Sequence, residues 1–304
     1  MKALVRTAAG LRCLEKPVPG VEKSGDVLIK VSRAAICRTD VFAAQGLIPV
    51  ADGRVLGHEF TGVVEATGAD VSRIKTGDRV VVNPLLPCGA CADCAQGRPH
   101  ECANAGFLGL HQDGAFAQKI VVPESQVHGL QDYVDDAIGA YAEPLAATMA
   151  VLDAGLPPHG KIAVTGRGRI AELTHFVLED HGYSTEKVAV PAGRAGEFDA
   201  VVETDLCSAN AEDILGMLRP GGLLVLKSRM PALLALPPLL CITRRLRVQA
   251  VHYAEFERAL RYVGQWTQKL AGFVGSEWSL EDHDQAFSAA CADEAQKIYF
   301  KPNG

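Results

Sequence analysis

The pattern of apolar residues changes once along this chain of 304 residues, and the change separates two kinds of structure. The first 125 residues contain short runs rich in β-branched residues, each bounded by glycine, proline or other turn formers. These runs are DVLIKVSRAAIC (26–37), EFTGVVEATG (59–68), DRVVVNP (78–84) and AFAQKIVVP (115–123). Several short strands with turn signals between them predict an all-β barrel or sandwich.

A helix predicted over YAEPLAATMAVLDAGL (141–156) begins the second pattern. After it, apolar strands alternate with helices. The predicted strands are KIAVTG (161–166), KVAVPA, DAVVET and LLVLKS (223–228). A helix ended by glycine is predicted over AELTHFVLEDHG (171–182), and a helix followed by a turn over AEDILGMLRPGG (211–222). This alternation predicts a parallel sheet. The tail returns to a helix, EFERALRYVGQW, and a strand, KIYFKP.

Composition excludes several classes of protein. Hydrophobic residues make up 48% and charged residues 22% of the chain, as in soluble globular proteins. The net charge is −6 and the basic residues are scattered, so no nucleic-acid partner is expected. The N-terminus, MKALVRTAAG, lacks the apolar core of a signal peptide, and the apolar stretch 230–243 is too short to span a bilayer. We therefore expect a cytoplasmic protein with no membrane partner.

Four of the nine cysteines lie in the segment CGACADCAQGRPHEC. Cys88, Cys91, Cys94 and Cys102 form a C-x2-C-x2-C-x7-C array. Two-residue gaps let successive thiolates converge on one ion, and four thiolates make the closed tetrahedral shell of a structural zinc. An iron–sulfur cluster is the chemical alternative. The sequence favours zinc at this site.

A second set of metal-ligating types is dispersed over three motifs. The motifs AAICRTD, VLGHEFTG and AYAEPLA contribute Cys37, Thr39, Asp40, His58, Glu59 and Glu143. A thiolate, an imidazole and a carboxylate are the ligands of a catalytic zinc that keeps one position open for substrate. Read singly, these residues suit a buried cysteine, a core histidine and a glutamate at a helix start. Read together, they predict a second metal site.

With these motifs the chain resembles the zinc-dependent medium-chain dehydrogenase/reductase family, which includes alcohol, sorbitol and threonine dehydrogenases. The resemblance also includes GDRVVV, DGAFAQKIVVP, VTGRGRIA and LRPGGLLVL, in the family's order over nearly the whole chain. It implies an α/β protein with a β-rich, GroES-like catalytic domain over 1–146 and 252–304. It also implies an inserted cofactor domain over 147–251, a trimmed Rossmann fold with a parallel, doubly wound sheet, and a catalytic zinc in the cleft between the two.

The resemblance assigns roles at the catalytic zinc. Cys37 and His58 are implied ligands, and the third is Glu143 or Glu59. We expect Glu143, with Glu59 close enough to exchange. Asp40 is the implied carboxylate that orients His58 through its other ring nitrogen. Zinc lowers the pKa of a bound alcohol, and a hydride passes to the nicotinamide.

The resemblance also assigns groups around the substrate and the cofactor. Thr39 is the implied hydroxyl that passes the substrate proton outward. In many relatives a histidine three residues later extends this relay, but here the position is Phe42, so the proton leaves by water or another side chain. Arg38 stands where some alcohol dehydrogenases hold the cofactor pyrophosphate with an arginine.

The stretch VTGRGRIAEL (164–173) predicts a phosphate-binding turn. Its glycines, Gly166 and Gly168, allow a tight turn and close approach of pyrophosphate to the backbone at the helix start. Ala171 is an accepted third residue of the G-x-G-x-x-A pattern. Arg167 and Arg169 add positive charge, and Ile170 lies in the same turn.

The adenosine side of this predicted site is shortened. The strand KVAV ends in PAGRAG, without the acid expected about 20 residues after the glycines to bind the ribose. Arg194 stands nearby, either to accept a 2′-phosphate, which favours NADP over NAD, or as a solvated loop residue. Only eight residues run from Pro191 to Phe198, too few for a βαβ unit of roughly 30 residues. We therefore expect a sheet without its third strand and weakened cofactor binding.

The leading functional hypothesis is an alcohol dehydrogenase that uses two zinc ions, one catalytic and one structural, with NAD or NADP. Its expected substrate is a small polar, secondary alcohol or the matching ketone. The alternative is a non-redox zinc enzyme or a small-molecule-binding protein whose nucleotide site is degenerate. The resemblance implies a homodimer or homotetramer paired through the last Rossmann strand, RLRVQAV (245–251).

Overall fold

The computed structural model describes residues 1–191, 193–292 and 294–304. Its strands are β1 (Lys2–Thr7), β2 (Gly10–Glu15), β3 (Asp26–Ala35), β4 (Arg54–Val55), β5 (Glu59–Thr67), β6 (Arg79–Val82), β7 (Leu85–Leu86), β8 (Gly106–Phe107), β9 (Lys119–Pro123), β10 (Val127–Gly129), β11 (Lys161–Thr165), β12 (Ser184–Val188), β13 (Phe198–Glu203), β14 (Leu218–Leu226), β15 (Arg247–Ala250), β16 (Val274–Trp278) and β17 (Lys297–Phe300).

The α-helices lie along most of the chain and are short. They are α1 (Arg38–Ala44), α2 (Ala92–Ala95), α3 (Asp136–Gly139), α4 (Ala142–Met149), α5 (Arg169–Asp180), α6 (Ala211–Gly216), α7 (Pro238–Arg244), α8 (Phe256–Gln265), α9 (Thr267–Ala271) and α10 (His283–Ala292). Short 3₁₀ turns lie at Pro99–Glu101, Glu124–Gln126 and Ala150–Asp153. Among the described helices, none combines the length and the hydropathy needed to cross a membrane.

The chain divides into two compact units, Met1–Pro144 with Glu255–Gly304, and Leu145–Ala254. The first unit is β-rich. Its largest sheet has the order β10-β6-β5-β3-β17-β16, with β9 also on β3, and its smaller sheets are β2-β1-β4 and β7-β8. The C-terminal strand β17 pairs antiparallel with the end of β3, through Phe300↔Ala34 and Tyr299↔Ala35. The tail thereby completes the sheet that the N-terminal residues begin.

The core of the first unit lies against this sheet. Phe116 and Phe300 meet edge to face with ring centroids 4.9 Å apart, and both are fully buried with Phe60, Ile29 and other apolar residues. Because alternate residues of a strand point to opposite faces, half-buried strands such as β9 show the alternation that the sequence predicts.

The second unit is a parallel sheet of order β12-β11-β13-β14-β15. Ile162 and Val164 pack into one cluster and Ala163 into another, so both faces are covered, as parallel sheets require. The predicted fold class is confirmed, including the trimming. The connection from β12 to β13, residues 189–197, contains no helix among its described residues.

The bounds of one predicted strand were wrong. The sequence placed it at KVAV, whereas β12 covers Ser184–Val188 and pairs residue by residue with β11, from Lys161↔Ser184 to Thr165↔Val188. The pairing places polar residues, such as Glu186 and Lys187, in an edge strand. Edge strands commonly carry charge, which conceals them from a search for apolar runs.

Candidate functional site

Three predicted ligands converge in the first unit. One ligand atom from each of Cys37, His58 and Glu59 lies within 4.8 Å of the others. Sheet register explains this, because β3 ends at Ala35, directly opposite Glu59 at the start of β5. Cys37 leaves β3 and His58 enters β5 at the same point, which brings a thiol, an imidazole and a carboxylate to one edge of the sheet.

Asp40 fixes the geometry of this group from within α1. Its Oδ2 accepts a hydrogen bond of 2.9 Å from the backbone N–H of Cys37, which is the N-cap of α1. Its Oδ1 accepts one of 3.1 Å from Gly57 and lies 3.3 Å from Nδ1 of His58. Asp40 and His58 are both fully buried. The carboxylate is therefore placed to orient the ring from its Nδ1 side.

The residues fit a metal ion. Nε2 of His58 is buried and has no hydrogen-bond partner in the part of the chain that the structure describes. Burial lowers the pKa of His58, but the charges of Asp40 and Cys37 outweigh burial and raise the pKa well above its usual value. The converging sulfur, nitrogen and oxygen donors, with an unpartnered ring nitrogen among them, suit zinc.

The two candidate glutamates are both buried, but they differ in position. Glu59 belongs to the group of converging ligand atoms, and Glu143 lies in the first turn of α4. Burial raises the pKa of Glu59, Lys297 lowers it, and the charge of Glu143 raises it further. The two carboxylates are thus within electrostatic reach of each other. The expectation that Glu143 is the third ligand stays a prediction.

The predicted proton relay begins beside the same group. Thr39 and Phe42 both lie in α1 and are 7% and 8% exposed. Thr39 therefore has little contact with solvent, and the phenyl ring at position 42 offers no polar atom. The route beyond Thr39 stays open to water or another side chain.

The four-cysteine group forms a separate lobe in the first unit. Ligand atoms of Cys88, Cys91, Cys94 and Cys102 lie within 4.8 Å of one another, with 3.7 Å between Sγ of Cys91 and Sγ of Cys102. Backbone N–H groups of Ala90 and Cys91 lower the pKa of Cys88 to about 6. Burial and hydrogen bonds to the other cysteines raise that of Cys94 to about 12. Thiols this close ionise together only around a cation, which suits a structural zinc.

The glycine-rich turn joins β11 to α5 in the second unit. Gly166 has φ +117°, and a Cβ there would lie 2.0 Å from Oγ1 of Thr204, so another residue would displace the turn. Gly168 is the N-cap of α5, and Ala171 packs into the core in its first turn. Backbone N–H groups at such a helix start can bind phosphate. Ile170 and Arg169 are half-buried here, and Arg167 is exposed.

The chain is similar to known dehydrogenases, and its β-rich part matches a known family. The family described as "Alcohol dehydrogenase GroES-like domain" matches residues 23–132. A sorbitol dehydrogenase from Halalkalibacterium halodurans is 33% identical over 216 residues, which is 67% of this chain and 63% of that protein. An L-threonine 3-dehydrogenase from Chelativorans sp. is 29% identical over 340 aligned positions, covering 98% of both proteins.

A solved structure extends the match over both units. A protein from Sinorhizobium meliloti 1021 bound to NADP has a TM-score of 0.81 and 26% identity, and the match covers 99% of both chains. The chain belongs to the medium-chain dehydrogenase/reductase family. Its alignment with the threonine dehydrogenase is longer than its own 304 residues, so gaps fall within this chain. A trimmed sheet accounts for such gaps.

Two arginines of this medium-chain dehydrogenase/reductase have partners that the sequence did not indicate. Arg38, expected near the pyrophosphate, forms an ion pair with Glu294. Arg194, expected near a 2′-phosphate, pairs with Glu186 and with Glu197, whose Oε2 lies 2.6 Å from its Nη2.

Arg194 lies at the amino end of β13, and its assignment to a 2′-phosphate stays a prediction. Its guanidinium stacks over Phe198, the first residue of β13, at the amino end of that strand. The glycine turn follows the carboxyl end of the neighbouring β11, and the two edges of a five-residue strand are more than about 10 Å apart. Arg194 thus closes the shortened connection between β12 and β13.

Sequence reasoning missed an acidic group beside the glycine turn. Burial and the charge of Glu203 raise the pKa of Asp205, while Arg167 lowers it, so these three groups share one electrostatic environment. Glu203 is fully buried and accepts backbone hydrogen bonds from Leu206, Lys227 and Ser228. The available signal was the pair of acids in VVETD at the end of a predicted strand.

A cavity of about 420 Å³ opens in the second unit at the carboxyl ends of β13 and β14. Its lining is mainly apolar, with a few polar groups that include Glu203, Ser208 and Ser228. Ligands of open parallel sheets bind outside the carboxyl ends of the strands, which is also the edge where the glycine turn lies. The periodicity of apolar residues predicts where strands lie in the sequence. It does not predict cavities between the loops that follow those strands.

Lys297 was also missed. It is the first residue of β17, is 1% exposed, and its Nζ forms an ion pair with Oε2 of Glu59. The signal in the sequence was one lysine at the start of the predicted strand KIYFKP. Its partner lies on a strand far earlier in the chain, so no local spacing points to the pair.

Proposed function

We propose that this protein is a zinc-dependent dehydrogenase that transfers hydride between a small polar, secondary alcohol, or its ketone, and NAD(P). The convergence of Cys37, His58 and Glu59, with Asp40 behind His58, carries the proposal. The first unit is the GroES-like catalytic domain, and the second is the shortened cofactor domain.

The metal-site residues have distinct tasks. Cys37 and His58 hold the catalytic zinc, and Glu59 or Glu143 completes the set. When bound, zinc supplies a Lewis acid that lowers the pKa of the substrate hydroxyl, and NAD(P) accepts the hydride. Asp40 holds His58 in one orientation. Thr39 accepts the proton of the substrate hydroxyl and passes it outward, without help from Phe42.

The four-cysteine lobe has a structural task. Cys88, Cys91, Cys94 and Cys102 hold a second zinc in a closed shell of four thiolates, with no position for substrate. The lobe contains short elements, α2 and the 3₁₀ turn Pro99–Glu101, and the metal would hold them together.

The second unit binds the cofactor at the carboxyl edge of its sheet. The backbone at Gly166, Gly168 and the start of α5 receives the pyrophosphate. The missing third strand and the acids near Arg167 support a cofactor affinity below that of a full Rossmann domain. The relative from S. meliloti is bound to NADP, and our proposal leaves the choice between NAD and NADP to measurement.

The names of relatives support the proposed substrate class, and one exposed edge strand supports the proposed assembly. Relatives named sorbitol dehydrogenase and L-threonine 3-dehydrogenase support a polar secondary alcohol. All four residues of β15, an outer strand of the sheet, are exposed, which supports a homodimer or homotetramer formed through that edge. Light scattering after size exclusion measures the assembly.

The test is oxidation of a panel of polyols, amino alcohols and simple secondary alcohols by zinc-loaded protein, followed at 340 nm with NAD and with NADP. We expect at least one secondary alcohol to reduce one cofactor. Cys37→Ser should lower kcat/KM by about a thousandfold, since several kcal/mol of charge stabilisation depend on the metal. Cys13→Ser, at a half-buried cysteine of β2, is the matched control and should retain activity.

A panel without turnover in either direction, from protein that contains zinc, would contradict hydride transfer. That result would favour the alternative, a zinc protein with a degenerate nucleotide site that performs non-redox chemistry or binds a small molecule. Titration calorimetry with NAD(H) and NADP(H) then shows whether the second unit binds a nucleotide at all.

A further inference from the structure

Asp205 lies beside the glycine turn, on the side opposite the strand that lacks its acid. In the sheet β11 lies between β12 and β13, and its last residue, Thr165, pairs with Val188 of β12 and with Glu203 of β13. Neighbouring strands are about 4.8 Å apart, so residues that follow β13 are as close to the turn as residues that follow β12. An acid after β13 can therefore take the place of the acid that is missing after β12.

Contacts of Thr204 hold this part of the chain against the turn. Its backbone N–H and its Oγ1 both donate to the carbonyl oxygen of Thr165, over 3.2 Å and 2.7 Å. The same Oγ1 occupies the space that a side chain at position 166 would need. Asp205, the next residue, is exposed at the edge of the sheet where ligands of open parallel sheets bind.

Of the two acids in this segment, Asp205 is the one placed to meet a ligand. The carboxylate of Glu203 is fully buried, and both of its oxygens already accept backbone N–H groups. Burial and the charge of Glu203 raise the pKa of Asp205, and the charge of Arg167, an exposed residue of the turn, lowers it. Two acids and one arginine together leave a net negative charge beside the turn.

We propose that Asp205 is a specificity-determining residue that accepts hydrogen bonds from the adenosine ribose and makes the second unit select NAD over NADP. This proposal rests on the cofactor site of the proposed function. The ribose next to the pyrophosphate carries a 2′-hydroxyl in NAD and a 2′-phosphate in NADP. A carboxylate accepts a hydrogen bond from the hydroxyl and repels the phosphate, as the acid after the second strand of a complete Rossmann domain does.

The selection is separable from the general effect of the negative charge. Both cofactors contain the pyrophosphate, so repulsion at the turn lowers both affinities alike, in keeping with the weak cofactor binding proposed above. The 2′-phosphate of NADP adds about two further negative charges and removes the hydroxyl donor. Loss of the charge of Asp205 should therefore raise the Kd for NADH and lower the Kd for NADPH.

Titration calorimetry of the zinc-loaded protein measures the Kd values for NADH and NADPH in wild type and in Asp205→Asn, which keeps the size of the side chain but loses its charge. We expect wild type to bind NADH at least about tenfold more tightly than NADPH. The ratio of the two Kd values should fall at least about tenfold in Asp205→Asn, as expected for one hydrogen bond to a charged group. Asp205→Glu, which keeps the charge, should retain the preference for NADH.

Asp199→Asn is the matched control, because Asp199 is an acid at the amino end of the same strand, where it pairs with Arg219. This variant should leave the ratio of the Kd values unchanged. Salt supplies a second measurement, since ions screen repulsion between exposed charges. As salt rises, the preference of wild type for NADH should narrow, and that of Asp205→Asn should change less.

An unchanged ratio in Asp205→Asn would overturn the proposal, as would a wild type that binds NADPH as tightly as NADH. An equal fall of both Kd values would show general repulsion alone and would also overturn it. Because these titrations need no alcohol, the two proposals can fail separately. Selective binding of NADH without oxidation of any alcohol would contradict hydride transfer and leave the role of Asp205 intact. Turnover with equal affinity for the two cofactors would contradict the role of Asp205 alone, and a protein that binds neither cofactor would contradict both.

Discussion

The two compact units differ in how many of their expected functional residues are present. The first brings together a Cys–His–Glu group with its supporting aspartate and, separately, four cysteines. The second retains a glycine turn at a helix start but lacks one strand of its sheet and the acid at the tip of β12. The first unit thus contains two groups of residues that could each hold a metal, whereas the second contains fewer of the residues expected at the adenosine end of a cofactor.

Removal of one thiol from each candidate metal site of the first unit should show that the two sites have different roles. Cys91→Ser removes a ligand of the lobe, and we expect the free energy of unfolding to fall by about 3 kcal/mol, which lowers Tm by about 10 °C. Cys37→Ser should change Tm little, because its neighbours are packed in the sheet core. Calorimetric scans of zinc-loaded proteins measure both, and a stable but inactive Cys91→Ser protein would mean that the two metal roles are exchanged.

Substitution of Asp40 tests how far zinc binding by Cys37, His58 and Glu59 depends on the carboxylate beside His58. Asp40→Asn keeps the size of the side chain but loses the charge near Nδ1 of His58. We expect zinc affinity to fall by about 10- to 100-fold, since partners that orient metal ligands contribute on this scale. Chelator competition measures the change. An affinity within twofold of wild type would show that the ring is held by packing alone.

Gly166 tests whether the second unit uses its turn to bind a nucleotide. Gly166→Ala would place a Cβ 2.0 Å from Oγ1 of Thr204, and we expect the Kd for NAD(P)H to rise about tenfold as the turn moves. Gly182→Ala is the matched control, because Gly182 also has a positive φ, +79°, but open space around it. It should cost about 1 kcal/mol of stability and leave the Kd unchanged. Equal Kd values for both variants would argue against phosphate binding at the turn.

Arg194 should have the smallest effect on nucleotide binding. Its ion pairs with Glu186 and Glu197 place it at the edge of the sheet opposite the glycine turn. Arg194→Gln should therefore change the ratio of the Kd values for NADP and NAD by less than about twofold, since these surface pairs act on stability alone and only weakly. Titration calorimetry gives both constants. A selective loss of NADP affinity would instead support Arg194 as the acceptor of the 2′-phosphate.

Much of the fold and of the candidate site was predictable because it depends on residues that are close together in the sequence. The four cysteines lie within 15 residues, so their convergence requires only a short loop. Cys37 follows the end of one apolar strand and His58 precedes the start of another. Strand pairing can bring such flanking residues together. The trimmed sheet followed from chain length alone, because the eight residues from Pro191 to Phe198 cannot form a strand and a helix.

Pairing between distant charges was not predictable, because it depends on the register of strands. The sequence by itself determined which residue types could bind zinc, where the glycine turn lies and that one strand is missing. Only the tertiary structure decided that Lys297 meets Glu59, that Arg38 meets Glu294 and that Arg194 closes the sheet at its amino edge. Spacing along the chain encodes contacts between neighbours, whereas the partner of a charge on β17 is set by sheet pairing.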